Sequence, residues 1–279
     1  MGEIPKGGSL PLEPTLELEH EPRRRTGPSG FGFSRKFKLK CRFKRGFLKR
    51  ALYGVRARGV CCPALMRLQT LREARWIFAV LAAITFLLGK LLHPLASLPG
   101  VALILYTFYF FRDPDREAPA DPLAVVAPAD GVVVEIIEKP ETEVVNGMMR
   151  RVAIFLSVFD VHTNRAPIYA EVTYRKHYPG KFLDARNPEA SMANESQTWG
   201  FRTGTTTLVV RQISGAIARR IVVWSKVGDR VAKGERFGMI RFGSRTEVYV
   251  PLECEITVKP GDRVKAGETI VARLRKEPS

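Results

Sequence analysis

Along this chain apolar positions first run together and later alternate. From Trp76 to Gly89 almost every residue is apolar, and Leu91 to Phe111 forms a second, mostly apolar run. A helix that crosses a bilayer needs roughly 20 apolar residues, so the two runs predict a helical hairpin of borderline spanning length. Lys90, His93 and Pro94 mark its junction, and Pro99 and Gly100 are expected to break or kink the second run. Arg67, Arg72 and Arg75 precede the pair and Arg112 follows it. Positive charge at both outer ends fits an anchor whose two flanks lie in the cytoplasm. Buried core helices give the same runs, but nothing else in the chain is apolar enough to cover them. Residues 66–111 therefore read as a membrane anchor.

From Arg112 to the end the pattern shortens. β-Branched runs separated by turn residues predict strands at Ala124–Val126, Val132–Ile137, Val152–Val158, Thr206–Val210, Ile221–Trp224, Glu247–Val250 and Glu255–Val258. Helical spacing is scarce, so residues 112–279 read as one β-rich domain in a mainly β (α+β) chain. An internal echo sharpens the picture. Val227 to Glu235 repeats the Gly-Asp turn, the valine and the second glycine of Pro260 to Glu268. The echo looks like the repeated hairpin of biotinyl/lipoyl-type barrel-sandwich domains, a packing unit rather than a site. No lysine sits in a Met-Lys hairpin, so a swinging-arm carrier is rejected.

Charge changes the picture only through its location. The net charge is +17, and residues 1–65 supply +10 of it, with 15 Lys/Arg against 5 Asp/Glu. Phe31 to Arg58 interleaves those cations with Phe31, Phe33, Phe37, Phe43 and Phe47, a mixture suited to a membrane or RNA contact. The blander alternative is a disordered extension, or sequence ahead of a start at Met66. Cys41, Cys61, Cys62 and Cys254 form no zinc- or redox-type spacing and read as reduced thiols of a cytosolic compartment. The Pro/Gly-rich start shows no cleavable secretory signal, and no metal set is evident.

Three segments carry candidate chemistry: Val126 to Val132, containing Asp130-Gly131; Phe155 to Pro167, containing Ser157, His162, Asn164 and Arg165; and Gly238 to Arg245, containing Gly243-Ser244. Each is weak alone. Asp-Gly is an ordinary turn, Gly-Ser joins strands in many proteins, and a lone histidine is more often structural than catalytic.

Together they resemble the phosphatidylserine decarboxylase proenzymes, particularly the short bacterial and archaeal-type members. The resemblance begins at Phe110-Phe111-Arg112-Asp113-Pro114-Asp115-Arg116 and continues through Ala127-Pro128-Ala129-Asp130-Gly131 and Asp160 to Pro167. It takes in His177-Tyr178-Pro179-Gly180, Gln212 to Ile221 and Phe237 to Ser244, and ends near Pro251. Decarboxylating an amino acid leaves a carbanion that needs an electron sink, and no ordinary side chain is an electrophilic carbonyl. The resemblance implies that the chain makes a covalent pyruvoyl cofactor from Ser244. Its hydroxyl would attack the Gly243 carbonyl, and elimination from the ester would leave chains 1–243 and 244–279, a heterodimer of one precursor. It further implies His162 as base and proton donor with Asp130 as its orienting partner, a triad in role.

The implied reaction converts phosphatidylserine to phosphatidylethanolamine at the cytoplasmic face of the cell membrane, with anionic lipid as partner and no nucleic acid expected. A homo-oligomer is left open. Long-type members carry a second histidine where this chain has Arg165, so either His162 serves both reactions or Arg165 binds the substrate carboxylate or phosphate. Ser157 and Asn164 are candidates for the head-group site, Arg219 and Arg220 for a phosphate, and Asn194-Glu195 falls where relatives have Asn-Glu. His177 and Tyr178 read as structural. Alternatives are an archaeal-type lipid with the same phosphoserine head group, a non-cleaving basic membrane or nucleic-acid adaptor, and a serine hydrolase, which lacks its nucleophile-elbow motif here.

Overall fold

The computed structural model describes residues 68–187, 189–216, 220–241 and 243–275. The 1–65 extension, Met66, Arg67 and Cys41, Cys61 and Cys62 lie outside the described residues. The two apolar runs form helices α1 (Leu68–Leu91) and α2 (Leu98–Phe110), joined by a 3-10 turn at Pro94–Ser97. The sequence placed Pro99 and Gly100 as breaks inside the second run. They stand instead in the first turn of α2, where a proline's missing N–H leaves no bond unmade. Gly100 lets the helices close, since a Cβ there would lie 2.1 Å from Thr85 Oγ1. Phe78 and Phe108 stack across the pair at 4.3 Å. By length and composition Gln69–Leu91 can cross a membrane, and only 11% of its most apolar stretch is buried within the protein. Trp76, Phe86, Leu91, Leu92 and Leu95 all point outward.

The rest is mainly β. The strands are β1 (Ala124–Val126), β2 (Gly131–Glu141), β3 (Gly147–Leu156), β4 (Thr163–Arg165), β5 (Ala170–Tyr178), β6 (Ser196–Thr203), β7 (Thr206–Ser214) and β8 (Ile221–Val223). They continue as β9 (Arg230–Val231), β10 (Arg236–Ile240), β11 (Ser244–Pro251), β12 (Glu255–Ile256), β13 (Arg263–Val264) and β14 (Ile270–Arg273), and a short α3 (Ala190–Ala193) precedes β6. An eight-stranded antiparallel sheet runs β13-β2-β3-β11-β7-β6-β5-β9, beside three-stranded sheets β1-β14-β12 and β4-β10-β8. Its inner face carries Val152, Ile154, Leu156, Leu208, Val210, Val248 and Val250, closed by Trp199, Phe201 and Phe237. Those three rings lie 5.0 to 6.3 Å apart.

The repeated segment explains how the sheet curls. Its two copies supply the two edge strands, β9 against β5 and β13 against β2. Gly228 N–H donates to Val172 O as Gly261 N–H donates to Val133 O, both at 2.8 Å. The second glycines, Gly234 and Gly267, have φ of +75° and +77° and meet backbone to backbone. Their N–H groups donate to Ala166 O and Ala127 O, each at 2.9 Å. The symmetry extends further: Val126 N–H donates to Pro167 O, and Arg165 N–H to Pro128 O. The Ala-Pro pairs of two candidate segments are thus halves of one packing repeat.

Candidate active site

Ser244 opens β11, the strand between β3 and β7, where it pairs with Leu156 on one side and Ser214 on the other. Its side chain is fully buried, and Oγ has no hydrogen-bond partner among the described residues. A buried hydroxyl without a partner forgoes bonds it would have in water, so such a site calls for a reason. Gly243, immediately before it, has φ +58°, a conformation that side chains other than glycine's adopt at a cost.

His162 reaches this bond from the end of the loop after β3. Gly243 N–H donates to its Nε2 at 3.2 Å. A backbone amide can only donate, so Nε2 is the bare nitrogen and Nδ1 carries the hydrogen. That hydrogen goes to Asp160 O at 2.9 Å. The ring is wholly buried, and Phe110, the last residue of α2, lies 4.2 Å from it, centroid to centroid. Burial pushes the imidazole down to about 4, so it is neutral near pH 7. The arrangement is a neutral base, of fixed tautomer, aimed at the Gly243-Ser244 segment.

The other candidates fall elsewhere. Asp130 does not orient His162; the Asp160 carbonyl does. The Asp130 carboxylate is taken by Ala266 N–H and by Arg116 Nη2, both at 2.8 Å. Arg165 is not free for a substrate: its Nη2 donates to Asp113 Oδ1 at 2.9 Å and Pro114 O at 2.8 Å, and its Nη1 to Gly234 O at 3.1 Å. Arg236 Nε donates to the other oxygen of Asp113 at 2.5 Å. Asp113 follows α2 by three residues, so this buried cluster ties the hairpin to the sheet. Asn164 is also spent within the core. It accepts from Gln212 Nε2 at 2.7 Å and donates to Pro128 O and Thr246 Oγ1 at 3.3 Å.

Ser157 closes a turn, with both N–H and Oγ on Asp160 Oδ2 at 2.8 and 2.7 Å. Asn194 braces Leu183 and Ser214, and Glu195 meets His177 at 2.9 Å. Arg220 is exposed. Arg219 and Phe242 lie outside the described residues. The buried Cys254 thiol is pushed up to about 11, chiefly by burial, which leaves it protonated and unreactive.

Comparison with known proteins shows the family. The family model for phosphatidylserine decarboxylase matches residues 103–272. A phosphatidylserine decarboxylase proenzyme of Symbiobacterium thermophilum is 44% identical over 210 residues, 75% of this chain and 98% of that protein. One of Solibacter usitatus is 48% identical over 193 residues, covering 69% and 91%. The chain belongs to the phosphatidylserine decarboxylase family.

Within that family frame, one residue of the Gln212 to Ile221 segment gains a place at the site that its sequence did not assign. Gly215, just past β7, approaches so closely that a Cβ on it would stand 2.2 Å from Gly243 O. The contact joins residues 28 apart across two strands, so no local pattern announces it. The match to the decarboxylase model begins at residue 103, inside α2, so it includes the Phe110 that covers His162.

Proposed function

We propose that this chain is a self-cleaving proenzyme that decarboxylates phosphatidylserine to phosphatidylethanolamine. The observation that carries the reading is the buried, unpartnered Ser244 Oγ beside Gly243, with the bare Nε2 of His162 on the Gly243 amide. In cleavage Nε2 releases that amide and takes the hydroxyl proton, and Ser244 Oγ adds to the Gly243 carbonyl carbon. The C–N bond then breaks, leaving an ester; elimination frees residues 1–243 with a C-terminal carboxylate. The residual dehydroalanine at 244 takes up water and loses ammonia. Ser244 suits the pyruvoyl group because strand pairing on both sides keeps it in place once its upstream neighbour is cut. The pyruvoyl carbonyl supplies the electron sink for decarboxylation. His162 is then the proton source or acceptor facing that position.

Support for reading residues 66–111 as a membrane anchor comes from the exposed apolar faces of α1 and α2 and from the basic residues that flank them in the sequence. A lipid substrate stays in the bilayer, so a site packed against α2 meets it at the cytoplasmic surface. Each flanking cation adds about 1 kcal/mol of attraction to anionic lipid. The paired repeats support a barrel-sandwich architecture for residues 112–279, one domain built from both cleavage products.

Intact mass spectrometry of the purified protein, with turnover on phosphatidylserine vesicles, tests the reading. Two chains are expected, the smaller lighter by one ammonia than a peptide starting at Ser244. A folded protein that stays in one piece rejects it. Gly215→Ala provides a sharper check on geometry. Its methyl must displace the Gly243 carbonyl, and a misplacement near 1 Å at a reacting centre costs about 100-fold. The small chain should therefore appear on a denaturing gel about 100-fold more slowly.

A further inference from the structure

The arginines around His162 divide into two kinds. Arg165 and Arg236 share Asp113, Arg116 pairs with Asp130, and Arg241 pairs with Glu73 on α1. Arg263, on the surface, pairs with Asp160 at 2.9 Å. Arg112 differs: among the described residues no carboxylate lies within salt-bridge distance of it. Its guanidinium stacks on Tyr109, 3.9 Å from the ring centroid. Nη1 donates to Tyr109 O at 2.9 Å and Nη2 to Phe159 O at 2.6 Å. Capping the last turn of α2 explains the first bond, and pinning the 157–160 turn explains the second. Neither neutralises the charge, and a guanidinium has five N–H donors.

Position gives the unmatched charge a meaning. Arg112 follows Phe110 by two residues, and Phe110 stacks on His162. Arg112 is also close enough to His162 to contribute to holding its imidazole neutral. On the outer side stand exposed aromatics, Phe159 at 62%, Tyr109 at 47% and, beside the same end of the antiparallel hairpin, Trp76 at 70%. Such rings mark the depth of lipid head groups. Arg112 thus sits where an apolar helix leaves the bilayer and the catalytic loop begins.

We infer that Arg112 is the head-group anchor of the substrate, binding the lipid phosphate at the mouth of the site. This rests on the decarboxylase reading above and adds a specificity residue to it. Phosphate is the better match than the substrate carboxylate for an energetic reason. The carboxylate leaves as neutral carbon dioxide, so a cation held on it stabilises the ground state and slows the reaction. The phosphate keeps its charge throughout, and a planar guanidinium can grip it with two parallel bonds. Binding there tightens the substrate complex without touching the chemical step.

Kinetics on detergent-dispersed short-chain phosphatidylserine separate these roles. Arg112→Gln removes the charge and keeps a shorter planar donor, and Arg112→Lys keeps the charge. Arg112→Gln should cleave itself normally and raise KM about tenfold with kcat within about threefold, while Arg112→Lys, which keeps the charge without the two parallel bonds, raises KM by less than Arg112→Gln at a similar kcat. Inhibition by short-chain phosphatidylethanolamine, which has the phosphate but no carboxylate, should weaken in Arg112→Gln by the same factor as KM rises. An unchanged KM, a loss confined to kcat, or product inhibition that does not move overturns the assignment. So does failure of Arg112→Gln to cleave, which makes Arg112 part of the cleavage machinery or the fold. A wild type that neither cleaves nor turns over the lipid brings down the decarboxylase reading and this inference together; wild-type turnover with an indifferent Arg112→Gln brings down only the inference.

Discussion

Ser244→Ala and His162→Gln should each accumulate as one uncut chain without decarboxylase activity. Alanine removes the only atom that attacks the Gly243 carbonyl, so its loss is complete. Glutamine removes the base and leaves the nucleophile, and a positioned general base contributes about 10²–10⁴-fold, which sets the expected slowing. The pH profile follows from the same burial. With the imidazole held down to about 4, Nε2 keeps its lone pair at neutral pH. Self-cleavage should be flat between about pH 5 and 8 and fall only as the solution is acidified through about 4.

Stability carries a matching signature. In the unfolded chain the same ring titrates near about 6.5. Between that pH and about 4 the unfolded chain takes up a proton that the folded chain refuses, so stability rises with pH across the window, by up to about 3 kcal/mol. His162→Gln has no proton to gain and should flatten that part of the slope. Urea unfolding of the uncut Ser244→Ala protein, with and without His162→Gln, at about pH 7 and 4.5 measures it. Identical pH slopes would show that His162 is not held neutral.

What the sequence discloses here follows from the range of the interactions. The hairpin is legible because two nearly unbroken apolar runs, Trp76 to Gly89 and Leu91 to Phe111, need no distant partner to be recognised. Strand β1 appears where predicted, at Ala124–Val126, because an apolar triplet between turns is a local signal. Strands β5 and β6 escaped prediction. Ala170–Tyr178 ends in a solvated Arg-Lys-His run, and Ser196–Thr203 buries Ser196, Gln197 and Thr198 among its apolar residues. Polar residues become strand core only once their partners are in place. The same limit governs the site. Gly243-Ser244 and His162 are named from motif order, whereas the engagements of Arg165 with Asp113 and of Asp130 with Ala266 span 52 and 136 residues. A motif names which residues matter to a family without saying which of them face the chemistry and which hold the repeat together.

Glu247→Ala should release the small chain from the cleaved enzyme. Glu247 lies two residues beyond Arg245 on the outward face of β11 and is wholly buried. It accepts from Arg245 Nε, Ser191 Oγ and Tyr249 OH, each at 2.9 Å, and pairs with Arg151 Nη1 at 3.2 Å. Burial, then the nearby Glu247 charge, pushes the Tyr249 hydroxyl up, so it stays a donor. Arg151 and Arg245 also share Glu135, at 2.9 Å from Arg245 Nη2. After cleavage at Gly243-Ser244, Arg245, Glu247 and Tyr249 belong to one chain, and Glu135, Arg151 and Ser191 to the other. The network then acts as a non-covalent rivet in the middle of the sheet. Removing one member of a buried ion network leaves its partners uncompensated, at a cost of about 3–5 kcal/mol. For a domain of this size that lowers Tm by roughly 6–20 °C. In Ser244→Ala the peptide bond still tethers β11, so Glu247→Ala in that background should melt early yet keep all its residues together. In the cut enzyme the remaining hold is the main-chain pairing of β11 to β3 and β7, of β13 to β2 and of β14 to β1, and size-exclusion chromatography should show residues 244–279 leaving the large chain. Co-elution of both chains at an unchanged Tm would show that strand pairing suffices and the buried charges contribute little.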